Sequence, residues 1–310
     1  MARPITRNDG GREKFACRSN LARYFARVSF TQTAQEVQLD VTLILPAYNE
    51  ARRIAGTVGE AIQYFEQRGG SYEIIVAADG DDGTREIVAR MGRENPAVKV
   101  IGSARRGGKG LGIRNAVFMA RGRIIGFSDA DNKTPISEYG KLEAALRAGA
   151  DVAIGSRGLP EALIERRQPL HRRLGSKAFA VGMQMIVGLR GIADSQCGFK
   201  FFQADVARYL FERQRIDGYM FDVEILALAL RAKFRIAQIP VRWRDDADSR
   251  FHIISGGLRD LRELIAIRMM ALRGQYDRPR EMEVQARVPA PDRAGAAPIE
   301  EAVSERRSSL

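Results

Sequence analysis

Between residues 41 and 156 the chain alternates short apolar runs with longer stretches in which apolar positions recur every three or four residues. The runs "VTLILP" (41–46), "YEIIVAA" (72–78), "VKVIG" (98–102), "RIIGFS" (123–128) and "DVAIGS" (151–156) are short and nearly all apolar. That pattern predicts strands buried on both faces. The stretches between them predict helices. Ile54, Val58, Ile62 and Phe65 share one face, "TREIVARMG" begins at Thr84, and "GLGIRNAVFMARG" follows a glycine-rich turn. "ISEYGKLEAALRAG" leads into the fifth run. Strand–helix alternation of this kind predicts an α/β protein with a mostly parallel, Rossmann-like central sheet and helices on both faces.

The flanks lack this periodicity. Residues 1–37 are polar and basic and are expected to be a disordered arm, with a short helix near 21–28. Residues 276–310 mix Pro, Ala, Glu and Arg and are expected to be a disordered tail. No internal repeat or linker divides residues 38–275, which are expected to fold as one domain. No signal peptide is visible, and no window reaches the roughly 18 uninterrupted apolar residues of a spanning helix. The expectation is a cytoplasmic protein that can sit peripherally on a membrane face.

Composition narrows the chemistry. The chain of 310 residues is 45% hydrophobic, enough for one sizeable core. Its net charge of +12 implies attraction to polyanions such as nucleic acid, anionic headgroups or phosphorylated substrates. The two cysteines, Cys17 and Cys197, are far apart and fit a reducing compartment. Two histidines are too few for a histidine-rich metal site, and they make a Ser-His-Asp triad hard to build.

Ligands of open α/β sheets gather at the carboxyl ends of the strands. Four predicted strands end in "PAYNE", "DGDDGT", "DAD" and "GSR". On an extended backbone Asp129 and Asp131 share a face. Two carboxylates held close need a proton or a cation between them. Mg²⁺ or Mn²⁺ takes few carboxylates and completes its shell with water and phosphate oxygens. The alternative is a helix cap formed by Asp131 or Thr134 before Pro135. Tyr48, Asn49 and Glu50 are placed to meet a base and ribose, or Asn49 caps the next helix. Asp79 is placed to accept hydrogen bonds from a base or ribose, whereas Asp82-Gly83 reads as a turn with Thr84 as cap. "RRGGKG" (105–110), which includes Lys109, precedes a helix and suits a phosphate, although the P-loop spacing is absent. Arg157, Arg166, Arg167, Arg172, Arg173 and Lys177 form a basic run beside an apolar stretch, which suits a phosphate on a lipid tail. Asp222 and Glu224 in "FDVEIL" read equally well as surface carboxylates.

Together "LPAYNE", "GKG…R…A…ARG", "DAD", "GSR" and "DSQCGFKFF" resemble the family 2 glycosyltransferases of the polyprenyl-phosphate type. Within that family the dolichyl-phosphate β-glucosyltransferases are most similar, then the mannose synthases, over residues 41–273. The resemblance implies a GT-A fold (the nucleotide-diphospho-sugar transferase fold) and a nucleotide-sugar donor, UDP-glucose or GDP-mannose. It also implies inverting transfer of a hexose, glucose before mannose, to a polyprenyl or dolichyl phosphate. It assigns Pro46, Ala47, Tyr48, Glu50 and Asp79 to the nucleotide site, with Lys109 and Arg250 also on the donor. Asp129 and Asp131 are the implied metal ligands, for Mg²⁺ or Mn²⁺. Arg157, Arg167 and Arg172 would face the acceptor phosphate, and Asp194 would lie near the reacting sugar as an orienter or base. Asp131, Asp194 and Arg157 are thus the implied catalytic residues. Trp243 and the "DSR" ending at Arg250 resemble the family's closing segment. Two departures stand out: the acidic run after the second strand reads Asp79-Gly80-Asp81, and Lys133 stands where mannose synthases often carry Gln.

Other readings carry distinct signatures. A soluble, non-lipid acceptor would leave the donor site unchanged. A haloacid-dehalogenase-type phosphatase needs D-x-D-x-T, and Thr134 falls one position late. Nucleic-acid binding would rest on charge alone, since zinc-finger and RNP-like patterns are absent, so none is expected. The segments 176–189 and 258–272 are expected either at a membrane surface or packed on the core.

Overall fold

The computed structural model describes residues 38–164, 182–183, 185–244 and 253–280, with the side chains of 253–258 left aside. The described residues belong to one compact unit that ends at Arg280. In chain order its elements are β1 (Leu39–Tyr48), α1 (Ile54–Arg68), β2 (Tyr72–Asp79), α2 (Thr84–Glu94), β3 (Val98–Ile101), α3 (Lys109–Met119), β4 (Gly122–Ser128), α4 (Tyr139–Arg147), β5 (Val152–Ser156) and β6 (Leu163–Ile164). Then follow β7 (Phe199–Gln203), α5 (Ala204–Arg213), α6 (Phe221–Arg231), β8 (Ile236–Pro240), β9 (Arg242–Trp243) and α7 (Ile253–Leu272). The expected arm at 1–37 and the basic run at 165–181 lie outside the described residues, as do residues 245–252 and 281–310.

All five predicted strands are present, as β1 to β5. They lie in a seven-stranded sheet of order β3-β2-β1-β4-β7-β5-β8. Every pairing is parallel except those of β7, which runs antiparallel between β4 and β5. The apolar runs lack alternation because both faces of the sheet are covered. Ile44, Ile75, Ile125, Phe127 and Phe202 pack with α3, α5 and α6. Leu43, Leu45, Ile74, Val76, Ile124 and Phe201 pack with α1, α2 and α4 on the other side. A fully buried Phe or Ile contributes roughly 1.5–3 kcal/mol to this core.

The residue pattern carries no strand signal for β7. "FKFF" is too short to announce itself, and its Lys200 is fully buried. Its antiparallel direction decides the site. Phe199 at the start of β7 pairs with Ser128 at the end of β4, so the segment before β7 arrives where the parallel strands finish. The sheet changes winding direction at β1 and β4, the position where open α/β sheets open a crevice.

Candidate active site

The two aspartates of "DAD" do not sit on strand β4, as their spacing implied. The strand stops at Ser128, and Asp129 to Asn132 form a turn closed by the Asn132 N–H donating to the Asp129 carbonyl at 3.1 Å. Asn132 takes a φ of 54°, a conformation Asn tolerates through local hydrogen bonding. Neither Asp131 nor Thr134 caps the helix that follows Pro135, because no side chain caps that turn. Instead Asp131 Oδ1 accepts the Lys133 N–H at 3.3 Å, and the Lys133 ammonium lies 3.4 Å from Oδ2. Burial, and then the charge of Asp129, push the Asp131 carboxyl above the usual carboxylate range. The pair is close enough to repel. Asp129 is balanced by the Lys109 ammonium at 2.6 Å from Oδ1. Burial works against the Lys109 charge, but Asp129 and then Asp222 outweigh it and hold its pKa above the ordinary lysine value.

Loops from three strands complete the crevice. Asp82 fastens two of them. Its carboxylate accepts the Ala51 N–H at 2.9 Å and both the N–H and hydroxyl of Thr84, at 3.1 and 2.6 Å. Thr84 Oγ1 in turn accepts the Glu50 N–H at 3.0 Å. Asn49, at φ 54°, is not a helix cap; its Oδ1 accepts the Asp81 N–H at 3.3 Å. Asp79 is occupied by the glycine-rich loop, accepting from Ser103 N at 3.2 Å and Gly107 N at 2.7 Å. Arg106 from that loop stacks its guanidinium over the exposed Tyr48 ring, 4.3 Å from the centroid. Of the expected donor residues, Ala47 is buried in the core beside α1, while Tyr48 takes the exposed position at the strand end.

Arg157, just past β5, meets Asp194 in a fork. Nε donates to Oδ2 at 2.7 Å, Nη2 to Oδ1 at 2.9 Å, and the Arg157 N–H to Oδ2 at 2.9 Å. The Gln196 N–H adds a fourth bond at 3.1 Å. Burial raises the Asp194 pKa, but Arg157 overrides it and holds the carboxyl at about 2. A carboxylate so held is a weak base, and its four hydrogen bonds fix the orientation of the Arg157 guanidinium. Trp243 stands between the two ion pairs, its ring 5.4 Å from the Arg157 guanidinium and 5.9 Å from the Lys133 ammonium. Arg167, Arg172 and Arg250 lie outside the described residues. Asp222 and Glu224 are not surface carboxylates; both are buried in α6. Only their apolar neighbours hinted at this.

A mostly parallel sheet with helices on both faces, its acidic tips on β2 and just past β4, has the architecture of the GT-A fold. The sequence profile for "Glycosyl transferase family 2" matches residues 42–211, and the chain belongs to that family. It is 32% identical over 266 residues to the dolichyl-phosphate beta-glucosyltransferase of Drosophila melanogaster, covering 80% of each chain. To that of Saccharomyces cerevisiae it is 30% identical over 266 residues, covering 79% of this chain and 78% of the relative. Among solved structures, mannosyl-3-phosphoglycerate synthase from Rubrobacter xylanophilus superposes with a TM-score of 0.56 at 20% identity, over 86% of this chain and 82% of that one. Glucosyl-3-phosphoglycerate synthase from Mycobacterium tuberculosis, crystallised with Mn²⁺, uridine diphosphate and phosphoglyceric acid, gives 0.54 at 16% identity, over 84% of each chain. These likenesses share the fold.

Proposed function

We propose that this protein transfers glucose from UDP-glucose to a polyprenyl phosphate of the dolichyl type, with inversion. The observation that carries this is the match, over about four fifths of the chain, to relatives that bear the name dolichyl-phosphate beta-glucosyltransferase. The family match itself spans Asp79, Asp129, Asp131, Arg157 and Asp194.

Asp129 and Asp131 fit a hard divalent cation such as Mg²⁺ or Mn²⁺. They lie two residues apart on one turn, and among the described residues no group of three or more His, Cys, Asp or Glu could hold a metal. A site with two carboxylates leaves room for water and diphosphate oxygens. Beside them Gly198 leaves open the space that a Cβ would take from the Asp129 carboxylate. The cation's contribution would be to neutralise charge on the departing nucleoside diphosphate. Tyr48 and Asp79 line the nucleotide side, and Lys109 adds an ammonium near the diphosphate. A phosphate monoester is ionised near neutral pH, so it needs orientation rather than a base. Asp194 holds Arg157 rigid, and Arg157 aims an acceptor oxygen at the anomeric carbon. That oxygen forms the new bond to carbon from the face opposite the diphosphate, which leaves with the electron pair of the broken bond.

A lipid acceptor requires a membrane face, and α7 supports one. Among the described residues no helix is long and apolar enough to cross a membrane. Leu264 and Ile267 of α7 are buried, while Leu261, Ile265, Met269 and Leu272 are exposed. At roughly 100° per residue the four exposed side chains fall within about 80°, flanked by Arg262 and Arg268. The helix thus packs on the core with one face and leaves an apolar stripe with basic edges on another, an arrangement that suits an anionic lipid surface. The other expected segment, 176–189, is described only in part.

The test is transfer from UDP-glucose or GDP-mannose, with Mn²⁺, to a short polyprenyl phosphate, with 3-phosphoglycerate as the soluble control acceptor. Glucosyl polyprenyl phosphate is the expected product, and Asp131→Ala abolishes it in a folded protein. Transfer to 3-phosphoglycerate alone would overturn the lipid reading, and full activity in Asp131→Ala the metal reading.

A further inference from the structure

Beneath the site, charged side chains from three elements and the turn after β4 alternate in sign. Asp129 Oδ1 lies 2.6 Å from Lys109 Nζ, and Lys109 Nζ lies 4.0 Å from Asp222 Oδ2. Asp222 Oδ1 is 2.7 Å from Lys200 Nζ, which also donates to the Cys197 carbonyl at 2.6 Å. Lys200 is fully buried and Asp222 nearly so. Losing either partner would strand a charge in the interior, so this pair is a fixed ionic base. It also ties down Cys197, whose neighbour Gly198 accepts the Asp129 N–H.

Lys109 is different. It stands at the first residue of α3, partly open to the crevice, with a carboxylate on either side. The turn that carries it is rigid, because Gly108 lies so close to the Asp217 carbonyl that a Cβ would overlap it. The backbone is therefore fixed, while the ammonium at the end of the four-carbon stem lies within reach of both carboxylates. An ammonium 2.6 Å from Asp129 Oδ1 occupies the place a cation would take on that oxygen. Two positive charges cannot share it without a large repulsive cost.

We propose that Lys109 is a resident counter-ion that cedes Asp129 to the incoming cation, and that Asp222, fixed by Lys200, is the positioning residue that receives the ammonium beside the diphosphate. This rests on the cation reading of Asp129 given above. The consequence is linkage. The bare cation must expel an ammonium, whereas cation and diphosphate together bring the negative charge that holds it nearby. Metal and nucleotide therefore strengthen each other's binding by the same factor.

The test is Mn²⁺ titration of the full chain, followed by the spectral signal of the free ion, with and without UDP. Wild type is expected to bind Mn²⁺ about tenfold more tightly with UDP than alone. Lys109→Met binds Mn²⁺ alone about tenfold more tightly than wild type and loses most of the dependence on UDP. Asp222→Asn leaves the ammonium on Asp129 and weakens Mn²⁺ binding in the presence of UDP by about tenfold. The double variant Asp222→Asn/Lys200→Met removes both charges of the buried pair, so it reads the same effect if the single variant does not fold. Mn²⁺ affinities in Lys109→Met and the double variant equal to wild type, with UDP still required, overturn the hand-over alone. Absence of Mn²⁺ binding to wild type even with UDP overturns the cation reading and this inference with it.

Discussion

Gly198 lies flat against the carboxylate of Asp129: a Cβ on Gly198 would overlap both carboxylate oxygens. The same residue accepts the Asp129 N–H through its carbonyl at 3.0 Å. One glycine therefore sets the backbone of the aspartate and keeps its side-chain space open. Gly198→Ala is expected to fold with a loss of about 1–3 kcal/mol, as overpacking of a tight site costs. On the proposed function its glucosyl transfer should fall at least about 100-fold, as the displaced carboxylate would no longer meet donor and cation in line. Urea unfolding with single-turnover transfer checks both. Activity within twofold of wild type would mean that Asp129 tolerates displacement.

The Arg157–Asp194 fork carries a pH signature. The Asp194 carboxyl is held at about 2, below its ordinary 3.8. With the folded value lower, the unfolded chain binds the proton first as pH falls. The stabilisation is therefore complete above about pH 4 and is lost as pH drops through about 2. Asp194→Asn is expected to lose about 2–3 kcal/mol at pH 7, less than a fully buried pair because Arg157 is partly exposed. Its unfolding free energy should also lack this acid limb. Equal acid sensitivity in wild type and variant would show that the fork does not set it.

Glu224 has the opposite sign. It accepts the Arg215 and Ile216 N–H groups at 2.8 and 2.9 Å and the Tyr276 hydroxyl at 2.8 Å, which joins α6 to the turn after α7. Burial pushes its carboxyl up to about 7 from 4.5. Between those values the unfolded chain releases the proton while the folded protein keeps it, so stability declines as pH rises and levels off above about 7. Glu224→Gln removes this decline. The wild-type minus variant difference in unfolding free energy should drop by on the order of 3 kcal/mol from pH 4.5 to 7.5. Parallel pH curves would show Glu224 ionised in the fold throughout.

The exposed stripe of α7 predicts binding to anionic vesicles. Wild type is expected to float with phosphatidylserine-containing liposomes, and Leu261→Asp to float at least about fivefold less, without a change in melting temperature. Leu261 is exposed, so this substitution leaves the core intact. Equal flotation of the two proteins, or none by either, would remove α7 from the membrane face.

Several of these relationships were already legible in residue order. Uninterrupted apolar runs mark β1 to β5 because a doubly covered sheet needs apolar side chains on both faces. The acidic and glycine-rich segments after them mark the crevice because strand ends are where backbone and polar groups escape burial. Local spacing misled at "DAD", where alternation along a strand was assumed and a turn was found. A turn is chosen by hydrogen bonds that Asn132 and Lys133 make nearby, and periodicity does not register these.

The chain order of apolar and polar residues thus determined the sheet, its helices and the carboxylates at its edge, because those follow from local periodicity and burial. Only the tertiary structure decided that β7 runs backwards, bringing Asp194 to Arg157, Gly198 to Asp129 and Lys200 to Asp222. Each of these contacts joins residues from separate segments of the chain, and the free energy that selects them comes from packing and charge pairing, which exist only once the sheet is assembled.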